Sequence, residues 1–400
     1  ICGRQYNVSG GSGLNLYIVL LAASGMGKEA AKTGVDRLFH AMSETNPGTS
    51  VFLGPRTVSG PALEKAVSEH NPCFVTFVSE IGVRLQQMLA KRNGDPLMKA
   101  AWLGIATAAQ RGRRYQGAFH SKKDDRTKDI VFPAVTIFGE STQQEYYKAI
   151  SGDSFADGFV PRFLVVTHQG TEIQPLNQHM GMPPSKALLE KVCRVAQYTT
   201  DLQVREQYIE VDYPYVMEVD ERYRAKATKM PEGPLRVVQT RAGLTVAKIA
   251  ALLAIGEQHL RPQVNRLHLE WAMRLVDASS HELEIREASG DLSTDEDRKQ
   301  PALRSVVEDL MRADLKTLAS LGSPPALQTR RDLLAGRVII KRLSRRAPFR
   351  DMERDKDRAL AQALQSACEQ DILQRLSEQQ CKELFGKTWK GGIYGLGEAW

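Results

Sequence analysis

The chain has 400 residues, of which 42% are hydrophobic and 25% charged, and a net charge of +7. Those values suit a globular protein of two or three domains and exclude a disordered one. The longest apolar run near the start, residues 16–23, falls far short of a bilayer span, so the expectation is a soluble cytoplasmic protein without membrane contact. Cysteines 2, 73, 193, 368 and 381 are odd in number, scattered and without a C-x-x-C pair, which points to free thiols and away from a disulfide framework or a zinc site. The first residue is Ile1, which leaves room for an upstream domain in a longer polypeptide.

From residue 14 to about 170, short β-branched runs alternate with amphipathic helical patterns, the mark of an α/β domain with a mostly parallel sheet. Strands are expected at 14–22, 49–54, 73–80, 130–140 and 162–168. A helical lid or extension is expected over 171–289. It holds a helix at 185–198, a strand within "QYIEVDY" and two long helices, "VQTRAGLTVAKIAALLAIGEQ" and "LHLEWAMRLVDASSHELEIREA". Polar "GDLSTDEDRKQP" reads as a linker over 290–301. Helices near 302–319, 329–335 and 355–369, then strands in "DILQRLSEQQ" and "KGGIYGLG", give a winged-helix-like domain over 302–400, with a small helical packing domain as the alternative. Residues 301–400 carry 18 basic and 13 acidic side chains, so 18 − 13 = +5 of the net charge lies there.

The segment "LYIVLLAASGMGKEAA" joins an apolar strand to a helix through glycines and a lysine. A loop that wraps phosphate needs glycines so that backbone N–H groups converge, a lysine for the outer phosphates, and a helix N-terminus that favours anions. Ala23, Ser24, Gly25, Met26, Gly27, Lys28 and Glu29 are therefore expected to bind nucleotide, in a P-loop NTPase core over residues 1–170. Ala22 stands at the usual first glycine, and Glu29 where a magnesium-binding hydroxyl is usual.

Next, "CFVTFVSEIG" is an apolar strand that ends in Ser79 and Glu80. Glu80 has the position of a carboxylate that activates the attacking water, and Ser79 that of a magnesium-associated aspartate. Ordinarily the hydroxyl follows the lysine and the carboxylate ends the strand. Here Glu29 and Ser79 hold the two chemistries in exchanged places, and both are expected to ligate Mg2+. A third strand, "VFPAVTIFGEST", ends in Glu140, Ser141 and Thr142, which are expected to sense the γ-phosphate or hold the attacking water; a cap of the next helix is the alternative for Ser141 or Thr142. Arg162, between a turn and a strand, takes the place of an arginine that in ring ATPases reaches a neighbouring subunit's nucleotide; a structural ion pair is the alternative. Arg241 stands as a second phosphate-sensing arginine.

Between the second and third of these strands lies the basic stretch 111–128, with seven Lys or Arg against two Asp. Arg111, Arg113, Arg114, Tyr115, Lys122, Lys123 and Arg126 are expected on a loop that meets single-stranded DNA, with Tyr115 and Phe119 as stacking residues; a solvated charged hairpin is the alternative.

"LLAASGMGKE", "VTFVSEIG", "PAVTIFGEST", "DGFVPRFLVV" and "RAGLTVAKIAALLAI…LHLEWAMRLV", in this order over roughly residues 14–290, resemble the helicase-like ATPase domain of phage, prophage and plasmid primase-helicases. The resemblance implies a P-loop ATPase core related to RecA-type and AAA+ ring motors, acting with ATP and Mg2+ in replication of a mobile element. It also implies a hexameric homo-oligomer, single-stranded DNA as partner, a possible primase domain or partner, and tolerance of an acidic residue after the P-loop lysine. Two other functions fit the residues: an initiator or loader that uses ATP as an assembly switch, and, with less support, a small-molecule kinase.

Overall fold

The computed structural model describes all residues except 57–58, 91–93, 117–128, 151–152, 169–181, 206, 289–294, 331, 347–348, 352–355, 370, 388–391 and 399–400. The chain divides into two compact units, Ile1–Leu292 and Ser293–Trp400.

The first unit is mixed α/β. Its strands, in chain order, are β1 (Tyr6–Val8), β2 (Ser12–Gly13), β3 (Tyr17–Leu21), β4 (Val75–Val78), β5 (Arg114–Tyr115), β6 (Ile130–Val131), β7 (Thr136–Ser141), β8 (Phe163–Thr167) and β9 (Ile209–Glu210). Its helices are α1 (Glu29–Thr45), α2 (Gly60–Lys65), α3 (Ile81–Leu89), α4 (Pro96–Ala108), α5 (Gln143–Ala149), α6 (Asp153–Ala156), α7 (Lys186–Val204), α8 (Val216–Lys229), α9 (Pro234–Glu257) and α10 (Arg266–Ala288).

The central sheet has the order β4-β7-β3-β8, and every pairing in it is parallel. Parallel strands need crossovers, which the intervening helices supply. One face is fully closed: Tyr17, Val19, Leu21, Ile137 and Val165 pack with Leu85, Trp102 and Tyr146 from α3, α4 and α5. The other face is shared: α1 and α7 bring Phe39, Met42 and Ala196 against the β4 side, while Leu164 of β8 joins the cluster of α8, α9 and α10. Helix α9 is long and apolar enough to cross a membrane by length and composition, yet Val246, Ala247, Ala250, Ala251 and Ala254 are buried in that cluster.

Two expected strands came out differently. Residues 49–54 are mostly a 3-10 turn (Pro47–Phe52) begun by Asn46, whose side chain accepts from Gly48 N at 3.2 Å; only a Leu53–Val75 bridge reaches the sheet. The run 130–140 is broken at Phe132, whose φ of 47° leaves the extended region, and its two pieces pair with different partners. The close approach of α3 to α5 depends on Gly82, where a Cβ would lie 2.7 Å from the Glu145 carbonyl carbon and 2.8 Å from Tyr146 N.

The second unit holds α11 (Asp295–Arg312), α12 (Leu315–Ser320), α13 (Pro325–Gln328), β10 (Leu334–Ala335), α14 (Gly336–Leu343), α15 (Lys356–Glu369), β11 (Leu373–Arg375), α16 (Glu378–Phe385) and β12 (Ile393–Leu396). Residues 295–301, expected as linker, begin α11, with Pro301 inside the helix. The three strands form an antiparallel sheet with β12 in the centre. Val307, Val338, Ile339, Leu343, Leu360 and Leu364 build its core with Ile393.

Two glycine substitutions test the packing of the first unit. Gly82→Ala forces α3 and α5 apart and is expected to cost about 1–3 kcal/mol. Gly34→Ala, on exposed α1 with nothing near its added methyl, is expected to stabilise by about 0.5–1 kcal/mol. Thermal unfolding of both variants beside the parent reads the two signs.

Candidate functional site

Strand β3 delivers its loop at the C-terminal edge of the sheet. Ala22 N donates to Ser141 O at 3.2 Å and His168 N to Leu21 O at 2.7 Å, so the strand end is held from both neighbours. The loop then turns through Gly25 (φ 80°) and Gly27 (φ 71°). A Cβ at either would meet nothing within 4 Å, so the left-handed backbone, not crowding, calls for glycine there. Lys28 Nζ donates to Ala22 O at 3.2 Å and closes the loop on itself. Helix α1 starts at Glu29 with no side-chain cap; in its first turn Ala30 N donates to Gly27 O at 2.9 Å and Ala31 N to Lys28 O at 3.4 Å. Ala23, Ser24, Gly25, Gly27 and Glu29 are exposed, and Met26 and Lys28 partly so.

The sheet order inserts β7 between β3 and β4. At the usual strand spacing, Ser79 and Glu80 therefore leave their strand about 10 Å to one side of β3. Both are exposed. Glu80 has φ 50° and ψ 50°, an uncommon conformation for a side chain of its size, and directly precedes α3. β7 ends between them in Glu140 and Ser141, which are 7% and 0% exposed. Glu140 Oε2 and Ser141 Oγ have no hydrogen-bond partner among the described residues. Gly82 brings the first turn of α3 against Ser141, since a Cβ there would stand 2.7 Å from Ser141 Oγ. Thr142 Oγ1 accepts from Glu145 N at 3.3 Å and caps α5, the helix-cap alternative for that position. The structure thus gathers residues 22–29, Ser79–Glu80 and Glu140–Ser141 along one edge. Among the described residues, no three His, Cys, Asp or Glu side chains form a metal-sized cluster.

Arg162 and Arg241 lie elsewhere. Arg162 precedes β8, whose Phe163 pairs with Tyr17 at the start of β3, so it stands at the opposite edge, about 15 Å along the strands from the glycine loop. Its guanidinium donates to Gly158 O and, at 3.2 Å, to Thr107 Oγ1. Arg241 stands beside it, its Nη2 2.7 Å from where a Gly158 Cβ would be. Arg241, expected to sense phosphate at its own chain's loop, is therefore not brought to that loop. Burial, and then the charge of Arg241, hold Arg162 below the usual guanidinium pKa; burial lowers Arg241 as well.

The basic stretch emerges, as expected, between β4 and β7, and β5 and β6 pair as its antiparallel base. Arg111 stacks over Tyr208 at 5.4 Å, Arg114 pairs with Asp129 at 3.8 Å, and both are exposed. Arg113 Nη1 reaches Thr107 O at 3.5 Å. The Tyr115 hydroxyl donates to Glu64, and its ring lies against Gly104. Lys122, Lys123 and Arg126, with Phe119, lie outside the described residues.

Sequence reasoning passed over Lys248, the lone cation in "VAKIAALLA". Its Nζ donates to Asn15 O and Asn15 Oδ1 at 3.1 and 3.2 Å, tying α9 to the segment before β3. A charged residue in an apolar helical run was the signal available, since such a group is retained only where a partner is waiting.

No family model matches the chain, and no curated protein matches it. Two solved structures are similar to it over most of its length at 11% identity. The Aeropyrum pernix ORC2 protein, in ADPNP–ADP complexes, covers 97% of this chain and 85% of its own, with a TM-score of 0.24. Cdc6p from Pyrobaculum aerophilum covers 99% and 84%, with a TM-score of 0.20. TM-scores this low do not establish a common fold.

Lys248 gives a pH signature. Burial, and then the charge of Arg162, push its ammonium down from 10.5 to about 8. Between those values the unfolded chain holds the proton and the folded chain releases it, so this residue makes the fold more stable as pH rises from about 8 to 10.5. Urea unfolding across that range should give a parent-minus-Lys248→Met difference that grows with pH. A difference that stays flat would mean that Lys248 titrates as an ordinary lysine.

Proposed function

We propose that the chain is a P-loop ATPase that moves on single-stranded DNA in replication of a phage, plasmid or other mobile element, working in the cytoplasm as a hexameric homo-oligomer. The observation that carries this reading is the convergence, at one edge of a parallel sheet, of the glycine loop with Lys28, the exposed Glu80, and the buried, unpartnered oxygens of Glu140 and Ser141. Open space around Gly25 and Gly27 suits a polyphosphate laid close to the backbone. In this reading Ala23–Glu29 cradle the phosphates, Lys28 neutralises them, and Glu80 takes the proton of the attacking water. Glu140 and Ser141 face the γ-phosphate region and gain there the partners they lack. Arg162, away from its own chain's loop, could meet only a nucleotide that a neighbouring copy holds.

Mg2+ prefers oxygen ligands with waters between, and Glu29 and Ser79, both exposed, fit it in that form. The ion would neutralise phosphate charge there. Arg111, Arg113 and Arg114, at the base of the 111–128 stretch, would meet DNA phosphates with Lys122, Lys123 and Arg126 beyond them. Tyr115, engaged by Glu64, would shape that base and not stack on bases. In the second unit, α11, β10, α14, α15, β11 and β12 follow one another in chain order, with α12 and α13 before β10, α16 between β11 and β12, and β12 central; we read this as a winged helix that binds DNA or a replication partner.

A second reading, an initiator or loader that uses ATP as an assembly switch, is favoured by one feature: the position after Lys28 is an exposed carboxylate and not a hydroxyl. ATP turnover measured with and without single-stranded DNA separates the two. A motor is expected to show DNA-stimulated turnover and strand displacement, with loss of ATP binding in Lys28→Ala and about 100-fold slower turnover with binding kept in Glu80→Gln. ATP binding without stimulated turnover selects the switch, and failure to bind ATP removes both. For the exchanged metal ligands, Glu29→Thr and Ser79→Asp should each lower turnover and the double variant restore it. A double variant no better than the worse single one rules the exchange out.

A further inference from the structure

At the edge of the first unit opposite the glycine loop lies a cavity of about 360 Å³, and four cationic side chains line it: Arg113, Arg162, Arg241 and Lys248. They come from four places far apart in sequence or from separate turns of α9, so the fold itself collects them. Among the described residues, no carboxylate lines the cavity. Asp157 acts on Arg162, but it is ion-paired to Lys99 and accepts from Phe159 N at 2.9 Å. Arg162 and Lys248 spend their hydrogen bonds on neutral oxygens, those of Gly158, Thr107 and Asn15. The Arg241 guanidinium makes no hydrogen bond or ion pair among the described residues.

Like charges held together in a partly buried space repel: burial lowers the pKa of Arg162, Arg241 and Lys248, and a neighbouring cation adds to it for Arg162 and Lys248. Such a cluster is stable once a ligand of opposite sign enters it. The remaining wall is polar and neutral. Asn15, Thr107, Gln110, Thr245 and Gly10 contribute, and Gln110 Nε2 donates to Gly10 O at 2.8 Å. Planar guanidiniums match the oxygens of a phosphate group two at a time, and a volume in the low hundreds of Å³ is at the small end of ligand sites.

We propose that this cavity is a second anion site, separate from the glycine loop, that binds a free di- or triphosphate chain. The phosphate chemistry has two sources: a polyphosphate ligand in solution, or a nucleotide held on the loop of another copy. We assign the first.

Inorganic triphosphate, titrated calorimetrically at fixed low salt into the whole chain, tests this. The Lys28→Ala variant disables the glycine loop in every copy, so the triphosphate bound to it is expected at one site per chain. Arg241→Gln in that background should weaken binding at least tenfold. Arg113→Gln, whose residue is exposed and whose side chain, among the described residues, holds only Thr107 O, should weaken it severalfold without a risk to folding. Loss of triphosphate binding in Lys28→Ala would overturn the proposal and give the guanidiniums to a second copy's nucleotide. Binding to Lys28→Ala that neither arginine change weakens would overturn it too. The outcome is independent of the ATPase reading, because a chain whose glycine loop binds nothing still shows the cavity site.

Discussion

Everything in the first unit depends on parallel pairing along both sides of β3. Tyr17 is paired with Ile137 and Phe163, and Leu21 with Ser141 and Thr167, so three strands start and finish together. β4 joins in the same direction through β7. Because all four run one way, their departing loops share one edge and their entering segments the other. The two edges carry different chemistry: the glycine loop with Lys28 and the acidic and hydroxyl side chains at one, Arg162, Arg241 and Lys248 at the other.

The polar groups at the first edge are costly to hold. A buried hydroxyl without a partner loses roughly 1–3 kcal/mol relative to water, and a buried carboxylate loses more. Glu140 and Ser141 end a strand whose Ile137 is wholly apolar and buried, so packing alone would have favoured carbon at both positions. Glu80 adds an αL backbone, a strain of about 1–3 kcal/mol for such a residue. A fold that carries these together, beside glycines that leave open space, is spending stability at one place.

The sequence was most informative where composition and spacing agreed. The β3, loop and α1 succession was legible because an apolar run, two glycines and a lysine lead into a helical pattern, and β4, β8, α9 and α10 were legible from their own apolar periods. It failed where a local polar contact overrode the apolar pattern. Asn46 and Pro47 wind residues 47–52 into a turn despite their β-branched content. Residues 371–380, expected as one strand, stop at Arg375 because Ser377 and Gln380 form a reciprocal capping box that starts α16. Pro301 was read as the close of a linker, yet α11 runs through it. Of the candidate site, the loop residues and Glu80 could be placed by motif. The proximity of Arg113, Arg162, Arg241 and Lys248 could not, since no spacing in the sequence encodes a meeting of the turn before β5, the turn before β8 and two turns of α9.

The bond from Lys28 Nζ to the Ala22 carbonyl gives the glycine loop a resident competitor. Any anion that recruits this ammonium must first displace a carbonyl that the chain itself supplies. A partly exposed charged hydrogen bond is worth about 1 kcal/mol net, so the loop discounts every ligand by roughly fivefold. The discount falls equally on all anions, which makes it a filter by strength: weak, singly charged ions leave the lysine where it is, and only a ligand that brings several contacts at once can turn it outward.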